Sequence, residues 1–339
     1  MNTSDKIIEY INRYKQARPT DLSDSLGVSL SMIQRSLKDL LEKGEIKKQG
    51  SAPRVFYVLN KDFVIKAETS IFILNGGDVN SYKLTSAQTD LIENNFYNIL
   101  PDGTEEYGIK AFVNWCNKRG FNVEQKAKEY YESILPFEKS EREKYAIDVT
   151  SKIKDTFKDR SYLDELWYLY PYSLPIFGKT KISQLIFHAK QTQDKVLMKR
   201  VFDLLNKQIH DYIKYKKPNA IAFIPPTVPR KYQIMTELKK FLNLNLPEIK
   251  IEKLKTGILI QQKSLKDLSD RVYNAEHTMV VTTKVSKPYK TLLLIDDFTG
   301  SGSTLNEVAK KCKEQSLTEK VIGLTLTGSI NGFDVLREI

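Results

Sequence analysis

The densest chemistry in this 339-residue chain lies between Thr291 and Thr304, which reads TLLLIDDFTGSGST. An apolar run meets two acids, Asp296 and Asp297, and then a loop of small residues, Thr299, Gly300, Ser301, Gly302, Ser303 and Thr304. Leu305, Val308, Ala309 and Cys312 follow at the spacing of a helix with one apolar face. Glycines let backbone N–H groups approach an anion closely, hydroxyls add donors, and a helix N-terminus adds positive potential. That combination fits a phosphate. Two carboxylates pointing at the same phosphate would repel it, so they must face another group. A ribose diol, which carboxylates hydrogen-bond, is the natural candidate.

Two commoner phosphate loops are excluded by single positions. A P-loop needs a lysine after its last glycine, and Ser303 follows Gly302; a dinucleotide fingerprint needs a glycine where Leu305 stands. Other residues of the C-terminal half carry complementary charge. Ile224-Pro225-Pro226-Thr227-Val228-Pro229-Arg230 ends an expected strand, and Lys190, Arg230, Lys231, Lys253 and Lys255 could neutralise a polyanion. Taken singly, each is more often a surface residue. His188, His210 and His277 have no metal-ligand spacing, so no metal site built by protein alone is expected.

Strand, Asp-Asp, small-residue loop and helix together resemble the 5-phosphoribosyl-1-pyrophosphate (PRPP) signature of type I phosphoribosyltransferases. Gln261-Gln262, Leu265, Leu268, Arg271 and Asn274 resemble the pattern of the competence protein F branch, and Lys179–Lys190 resembles the helix before that branch's first sheet strand. The resemblance covers roughly 165–329. The loop TGSGST departs mildly from the usual TTGxT. The resemblance implies that loop 299–304 anchors the 5-phosphate and that Asp296 and Asp297 hold the ribose hydroxyls. It implies a pyrophosphate site at Pro226, Thr227, Arg230, Lys253 and Lys255, with Mg2+ carried in by PRPP. The stretch Lys253–Asn274 corresponds to a loop that closes over PRPP. There Arg271 serves either the leaving pyrophosphate or a helix beginning near Ser264.

Stepping outward, residues 1–60 read as three helices and a β-wing. Ile7, Ile8 and Ile11 share a face of the first; Thr20–Leu26 is the second, with Pro19 at its start; Gly27-Val28 is the turn. Ser29 is expected to cap a third helix, where Ile33, Leu37, Leu40 and Leu41 form a stripe, and Gly44 ends it. Glu45–Gln49 and Arg54–Leu59 are strand-like. The stretch resembles the winged helix-turn-helix domains of bacterial regulators. Ser31, Gln34, Arg35 and Lys38 on the third helix, with Lys47, Lys48 and Arg54 on the wing, suit double-stranded DNA. A winged helix used to contact a partner protein is the alternative.

Residues 61–165 are expected to be a helical middle or linker region, with a strand at Ser70–Leu74, a turn at Gly76-Gly77, and helices over Ser86–Leu100, Gly108–Arg119 and Val123–Ile134. Phe112, Trp115 and Tyr130-Tyr131 are candidate core. Lys139–Lys158 reads as a solvated helix or linker. Beyond it, one helix is expected over Ile182–Leu205 and another over Tyr232–Leu242. Strands are expected over Ala220–Ile224, Ile249–Leu254, Leu292–Ile295 and Lys320–Leu326, with a helix over Thr304–Gln315. That alternation makes 166–339 an α/β domain with a parallel sheet and ligands at the strand carboxyl ends.

Composition agrees with a soluble, cytoplasmic protein: 41% hydrophobic, 28% charged, two cysteines, and no apolar run near membrane-spanning length. Net charge is +11, and residues 171–260 alone carry 17 Lys/Arg against six Asp/Glu. The whole excess therefore sits in the segment with the candidate phosphate-neutralising residues, which points to a polyanionic ligand. Two readings stay open. One is an enzyme, expected as a homo-oligomer, that moves phosphoribose from PRPP to an acceptor. A setting in bacterial conflict or phage defence is implied by phosphoribosyltransferase-like proteins that carry a winged helix. The other is a non-catalytic PRPP- or nucleotide-sensing regulator of transcription, as the similarity to the purine repressor of Gram-positive bacteria implies.

Overall fold

The computed structural model describes residues 3–14, 16–50, 55–60, 82–254, 260, 264–265 and 267–329. The expected strand Ser70–Leu74 and the turn Gly76-Gly77 lie outside them. Two compact units divide the chain at Tyr82/Lys83.

The first unit contains α1 (Thr3–Tyr14), α2 (Pro19–Leu26), α3 (Leu30–Glu42) and an antiparallel pair, β1 (Ile46–Gln49) with β2 (Phe56–Leu59). Ile7, Ile11, Leu22, Ile33, Leu37, Leu40 and Ile46 form its core. Gly27 stops α2 at φ +63°, a conformation glycine reaches without strain, and α3 starts three residues later. Ser29 occupies the cap position of α3 as expected, but its hydroxyl lies 3.2 Å from that of Ser31 rather than on a helix amide.

The second unit runs α4 (Ser86–Asn95), β3 (Tyr97–Ile99), β4 (Glu105–Tyr107), α5 (Gly108–Asn117), α6 (Val123–Lys144), β5 (Ile147–Asp148), α7 (Thr150–Phe157) and β6 (Glu165–Pro171). A short hairpin, β7 (Ser173–Leu174) and β8 (Gly178–Lys179), leads to α8 (Lys181–Thr192), α9 (Lys195–Lys216), β9 (Ala220–Phe223) and α10 (Ile234–Leu242). Then come β10 (Ile251–Lys253), α11 (Leu268–Thr278), β11 (Met279–Val281), β12 (Tyr289–Thr299), α12 (Ser303–Glu314) and β13 (Thr318–Gly328).

Five of these strands form one sheet in the order β5-β6-β13-β12-β9, parallel throughout except for β5 at the edge. Helices cover both faces. Trp167, Leu169, Leu293, Ile295 and Leu324 pack with residues of α8, α9 and α10, while Leu166, Tyr168, Leu292, Leu294 and Val321 pack with α12 and the β10–β11 pair. This is why Leu292–Ile295 reads as an unbroken apolar run: a strand covered on both sides has no polar face to alternate with. Each such fully buried side chain contributes about 1.5–3 kcal/mol.

The structure departs from the sequence expectation at five places. Tyr97–Ile99 is a strand rather than the end of a helix. Phe96 turns extended, and Pro101-Asp102-Gly103 folds the chain back onto β4, with Gly103 at φ +81°. The helix expected over Ile182–Leu205 is two helices. Gln193 takes φ +55°, and the Asp194 carboxylate accepts from the amides of Val196 (2.7 Å) and Leu197 (3.4 Å), starting α9 anew. Val196, expected on the apolar stripe, is therefore 79% exposed. Within 139–158, Ala146, Val149 and Ile153 are buried and β5 joins the sheet, so that stretch is part of the packed unit. Last, β10 pairs with β11 outside the main sheet, and Glu165–Pro171 is a central strand that no expectation included.

The phenyl face of Tyr168 fills the space where Gly328 would carry a side chain: a Cβ there would lie 2.4 Å from Tyr168 Cδ1. Both residues are in the sheet interior. Gly328→Ala should therefore lower stability by about 1–3 kcal/mol through overpacking. Urea unfolding of the two proteins measures it, and an unchanged midpoint would show that Tyr168 can yield.

Candidate functional site

All four parallel strands point the same way, so their carboxyl ends gather along one edge. Ile295 lies opposite Phe223, Phe298 opposite Thr327, and Thr327 opposite Tyr170. β12 continues past its apolar run through both acids to Thr299. Because side chains alternate along a strand, Asp296 and Asp297 leave on opposite faces. Asp297 follows Leu293 and Ile295 to the α8 side, where its Oδ2 accepts from Lys190 Nζ at 2.5 Å. Asp296 follows Leu292 and Leu294 to the side of β10 and α11. There Lys253 acts on it electrostatically, while donating to Asn274 Oδ1 at 3.4 Å.

The electrostatics of the pair follow from burial. Desolvation pushes the Asp296 carboxyl well above the usual carboxylate range, and the neighbouring Asp297 charge adds to that. The amide of Asp297, which donates to Asp296 Oδ1 at 2.8 Å, and the charges of Lys190 and Lys253 oppose it. Burial also lowers the Lys253 ammonium, against the pull of Asp296. The edge therefore combines one carboxyl biased towards its protonated form with one held by an ion pair.

The small-residue loop follows directly. Thr299 is buried, and its hydroxyl has no hydrogen-bond partner among the described residues. The hydroxyls of Ser301 and Ser303 lie 3.0 Å apart, and Ser301 Oγ also accepts from the Ser303 amide at 3.4 Å. Gly302, at φ +73°, is the residue that opens α12, and having no side chain it leaves the helix N-terminus uncovered by one. Asn306 fixes that helix: its Oδ1 accepts from the amide of Tyr162 (2.8 Å), and its Nδ2 donates to the Arg160 carbonyl (2.9 Å). Arg271 reaches the loop from α11. It is buried, donates from Nε to the Leu265 carbonyl at 2.9 Å, and places Nη1 3.7 Å from where a Cβ on Gly300 would stand. Phe298 Cε1 would be closer still to that Cβ, at 3.2 Å, so glycine at 300 keeps the loop open to both neighbours.

The segment after β9 lies beside this edge, because the Ile224 amide donates to the Ile295 carbonyl at 2.9 Å. Thr227 and Arg230 are half-buried there and Pro226 is exposed. Gln233 Nε2 closes the turn by donating to the Val228 carbonyl at 2.9 Å. The structure thus brings together Asp296, Asp297, loop 299–304, Arg271 and Lys253, while Pro226, Thr227 and Arg230 lie in the segment that follows β9. Lys255, Gln261 and Gln262 lie outside the described residues, as does Arg54. In the first unit, Ser31, Gln34, Arg35, Lys38, Lys47 and Lys48 are all exposed, and Lys38 lies 3.8 Å from Glu42.

Sequence reasoning did not single out Tyr172, Lys179 or Phe187. Tyr172 meets Phe298 edge-on with ring centroids 4.9 Å apart, and Lys179 Nζ stands over both Tyr172 and Phe187. The available signal was Phe187 three residues before Lys190, one helical turn away on the same face. Among the described residues no group of three or more His, Cys, Asp or Glu side chains is placed to hold a metal ion. Nor is any described helix long and apolar enough to cross a membrane.

No family model matches the sequence, and no curated protein matches it. Solved structures that overlay on the chain include a hypoxanthine phosphoribosyltransferase from Staphylococcus aureus, at 12% identity and TM-score 0.24, over 40% of this chain. The match spans 65% of that enzyme's length. An adenine phosphoribosyltransferase from Leishmania donovani overlays at 14% identity and TM-score 0.27, over 54% of this chain and 82% of the enzyme. Overlays this loose carry no argument about fold or activity.

Asp296 gives a prediction with a definite sign. Its carboxyl is protonated more readily in the folded than in the unfolded chain, so the folded state binds more protons and stability falls as pH rises above the unfolded value near 4. The fall is at most about 1.4 kcal/mol per pH unit and ends at the raised folded-state value. Asp296→Asn should therefore be more stable than the parent at pH 7.5, with the difference shrinking towards pH 4. Urea titrations at the two pH values measure this.

Proposed function

We propose that residues 83–339 bind PRPP and transfer its phosphoribosyl group to a nucleophile, releasing pyrophosphate. The observation that carries the reading is the carboxyl edge of β12. Two acids, a loop with a buried unsatisfied threonine hydroxyl, and a helix N-terminus opened by Gly302 follow one another without interruption. The 5-phosphate belongs on loop 299–304, where amides and hydroxyls converge and a helix N-terminus favours negative charge. Asp296 and Asp297 would accept from the ribose hydroxyls, the latter after yielding its bond to Lys190. Arg271 beside Gly300, Lys253 near Asp296, and Arg230 with the Pro226-Thr227 turn after β9 would bind the pyrophosphate.

Mg2+ fits this donor set: hard carboxylate oxygens at one edge and no closed protein cage suit an ion that keeps waters and enters with substrate phosphates. Asp296 or Asp297 would hold it, and it would offset charge on the pyrophosphate. In the transfer, the bond from C1 to the pyrophosphate oxygen breaks, the bond from C1 to the acceptor forms, and the acceptor loses a proton. Catalysis of this kind is mainly positioning and charge stabilisation. The Lys190–Asp297 ion pair favours a second reading, in which PRPP or a nucleotide is sensed without turnover, because that carboxylate is already satisfied without a sugar.

The first unit is read as a winged helix-turn-helix that engages duplex DNA. Supporting this are the α2–Gly27–α3 turn, the β1–β2 pair, and the polar, exposed face of α3.

Calorimetry tests the ligand. PRPP should bind with Mg2+ dependence, and Gly302→Val should abolish binding, since a β-branched residue at φ +73° must distort the loop. Equal affinity would sink the loop assignment. Arg271→Ala, checked by melting curve, should cut pyrophosphate release far more than PRPP affinity if the protein is an enzyme. A sensor would show altered affinity and no turnover in either protein. For the first unit, Arg35→Ala should weaken duplex binding in gel shifts, with affinity falling steeply as salt rises.

A further inference from the structure

The α8 side of the carboxyl edge carries a surface that PRPP binding does not use. It starts at Phe298, whose ring meets Tyr172 at 4.9 Å. Lys179 Nζ stands 5.7 Å from the Tyr172 ring centre and 5.0 Å from that of Phe187, which is 36% exposed and meets His188 edge-on. One turn further along α8 is Lys190. At the end of α8, Gln193 Oε1 accepts from the Lys231 amide at 2.7 Å, joining α8 to the segment after β9. There Lys195 and Lys231 place their ammonium groups 4.2 and 5.3 Å from the ring centre of Tyr232. Aromatic and cationic side chains thus flank the two ends of α8, Tyr172 and Lys179 before it and Lys195, Lys231 and Tyr232 after it, with Phe187 and Lys190 on the helix itself, which is about 18 Å long at 1.5 Å per residue.

The acids near this track are committed elsewhere. Asp297 pairs with Lys190, Asp194 accepts from the first amides of α9, and Glu237 pairs with Lys240 as well as Lys195. Net positive charge therefore remains. Cations alone would suit any polyanion. Phe187, exposed beside Lys179, and the half-buried Tyr172 and Tyr232, each also beside a lysine, add a preference for flat, unpaired rings, which a single-stranded nucleic acid offers and a duplex hides within its stack.

We propose that the track from Tyr172 through Lys179, Phe187 and Lys231 to Tyr232 binds single-stranded nucleic acid, with bases on the rings and phosphates on the lysines. This does not rest on the PRPP reading: of those five residues only Lys231 is also a candidate for neutralising a phosphate, and the other four are not.

Fluorescence anisotropy of the full chain with a labelled twelve-nucleotide oligothymidine tests it. Phe187→Ala should weaken binding about tenfold, the scale of one lost stacking contact. Lys179→Ala with Lys231→Ala should lower the slope of log affinity against log salt by about 1.4, at about 0.7 per phosphate contact on a single strand. Arg35→Ala should leave oligothymidine binding unchanged, and Phe187→Ala should bind PRPP as the parent does. Three results would overturn the proposal: no binding at 50 mM salt, about the lower end of the usual range; a loss confined to Arg35→Ala; or a Phe187→Ala defect equally large for heparin, which has no rings to stack. The last would make the track a general anion surface.

Discussion

Hydrogen bonding of β12 to a parallel neighbour on each side decides how the carboxyl edge is built. A strand held this way over Leu292–Ile295 cannot rotate its next two residues independently, so the alternation set by the buried leucines carries through to the acids. Asp297 is delivered to one helical layer and Asp296 to the other. Removing a carboxylate from water is costly, and the two layers meet that cost differently. On the α8 side Lys190 supplies a direct ion pair. On the α11 side Lys253 acts without a direct bond to the acid, and the Asp296 carboxyl drifts towards its neutral form. A single point of sheet geometry therefore assigns separate electrostatic roles to two chemically identical neighbours.

Support for the loop comes from outside it. The serines of loop 299–304 bond to each other, and the loop runs into α12, which Asn306 ties to the chain entering β6. Arg271 closes the other side. Its buried guanidinium stands near Gly300 because α11 packs along α12, and the Leu265 carbonyl fixes its Nε. A site positioned by a helix, a strand and an adjacent helix can be rigid even where its own residues are small.

The helical layer before β5 supports the same edge from a different direction. Phe177, at the tip of the β7–β8 hairpin, lies within 5.0 Å of the Tyr130 ring and 5.3 Å of Trp115. That contact holds a hairpin whose Ile176 takes the unfavourable φ of +69°, and the same hairpin carries Lys179, with Tyr172 just before it. Phe112, Trp115 and Tyr130 are thus core as expected, while Tyr131 is only half-buried, and the buried rings anchor a hairpin beside the candidate site.

What could be read from the residues in order was local. Gly27 between two short apolar patterns marked a tight helix turn, and Leu292–Asp297 followed by TGSGST marked a buried strand, an anion loop and a helix start. In each case neighbours along the chain set both conformation and chemistry. What could not be read depended on partners far away in sequence. The break at Gln193 is invisible to periodicity, because apolar residues on either side still fit one stripe until Val196 turns outward. β6 looks unremarkable until β13 supplies its parallel partner, with Ile322 opposite Glu165, and β5 is then added at the edge by pairing with β6. The division of Asp296 from Asp297, and the gathering of Tyr172 and Phe187 about Lys179, also came from tertiary structure. Alternation along a strand has meaning only once each face has acquired its own layer, and those layers are assembled from segments that no short window of sequence contains.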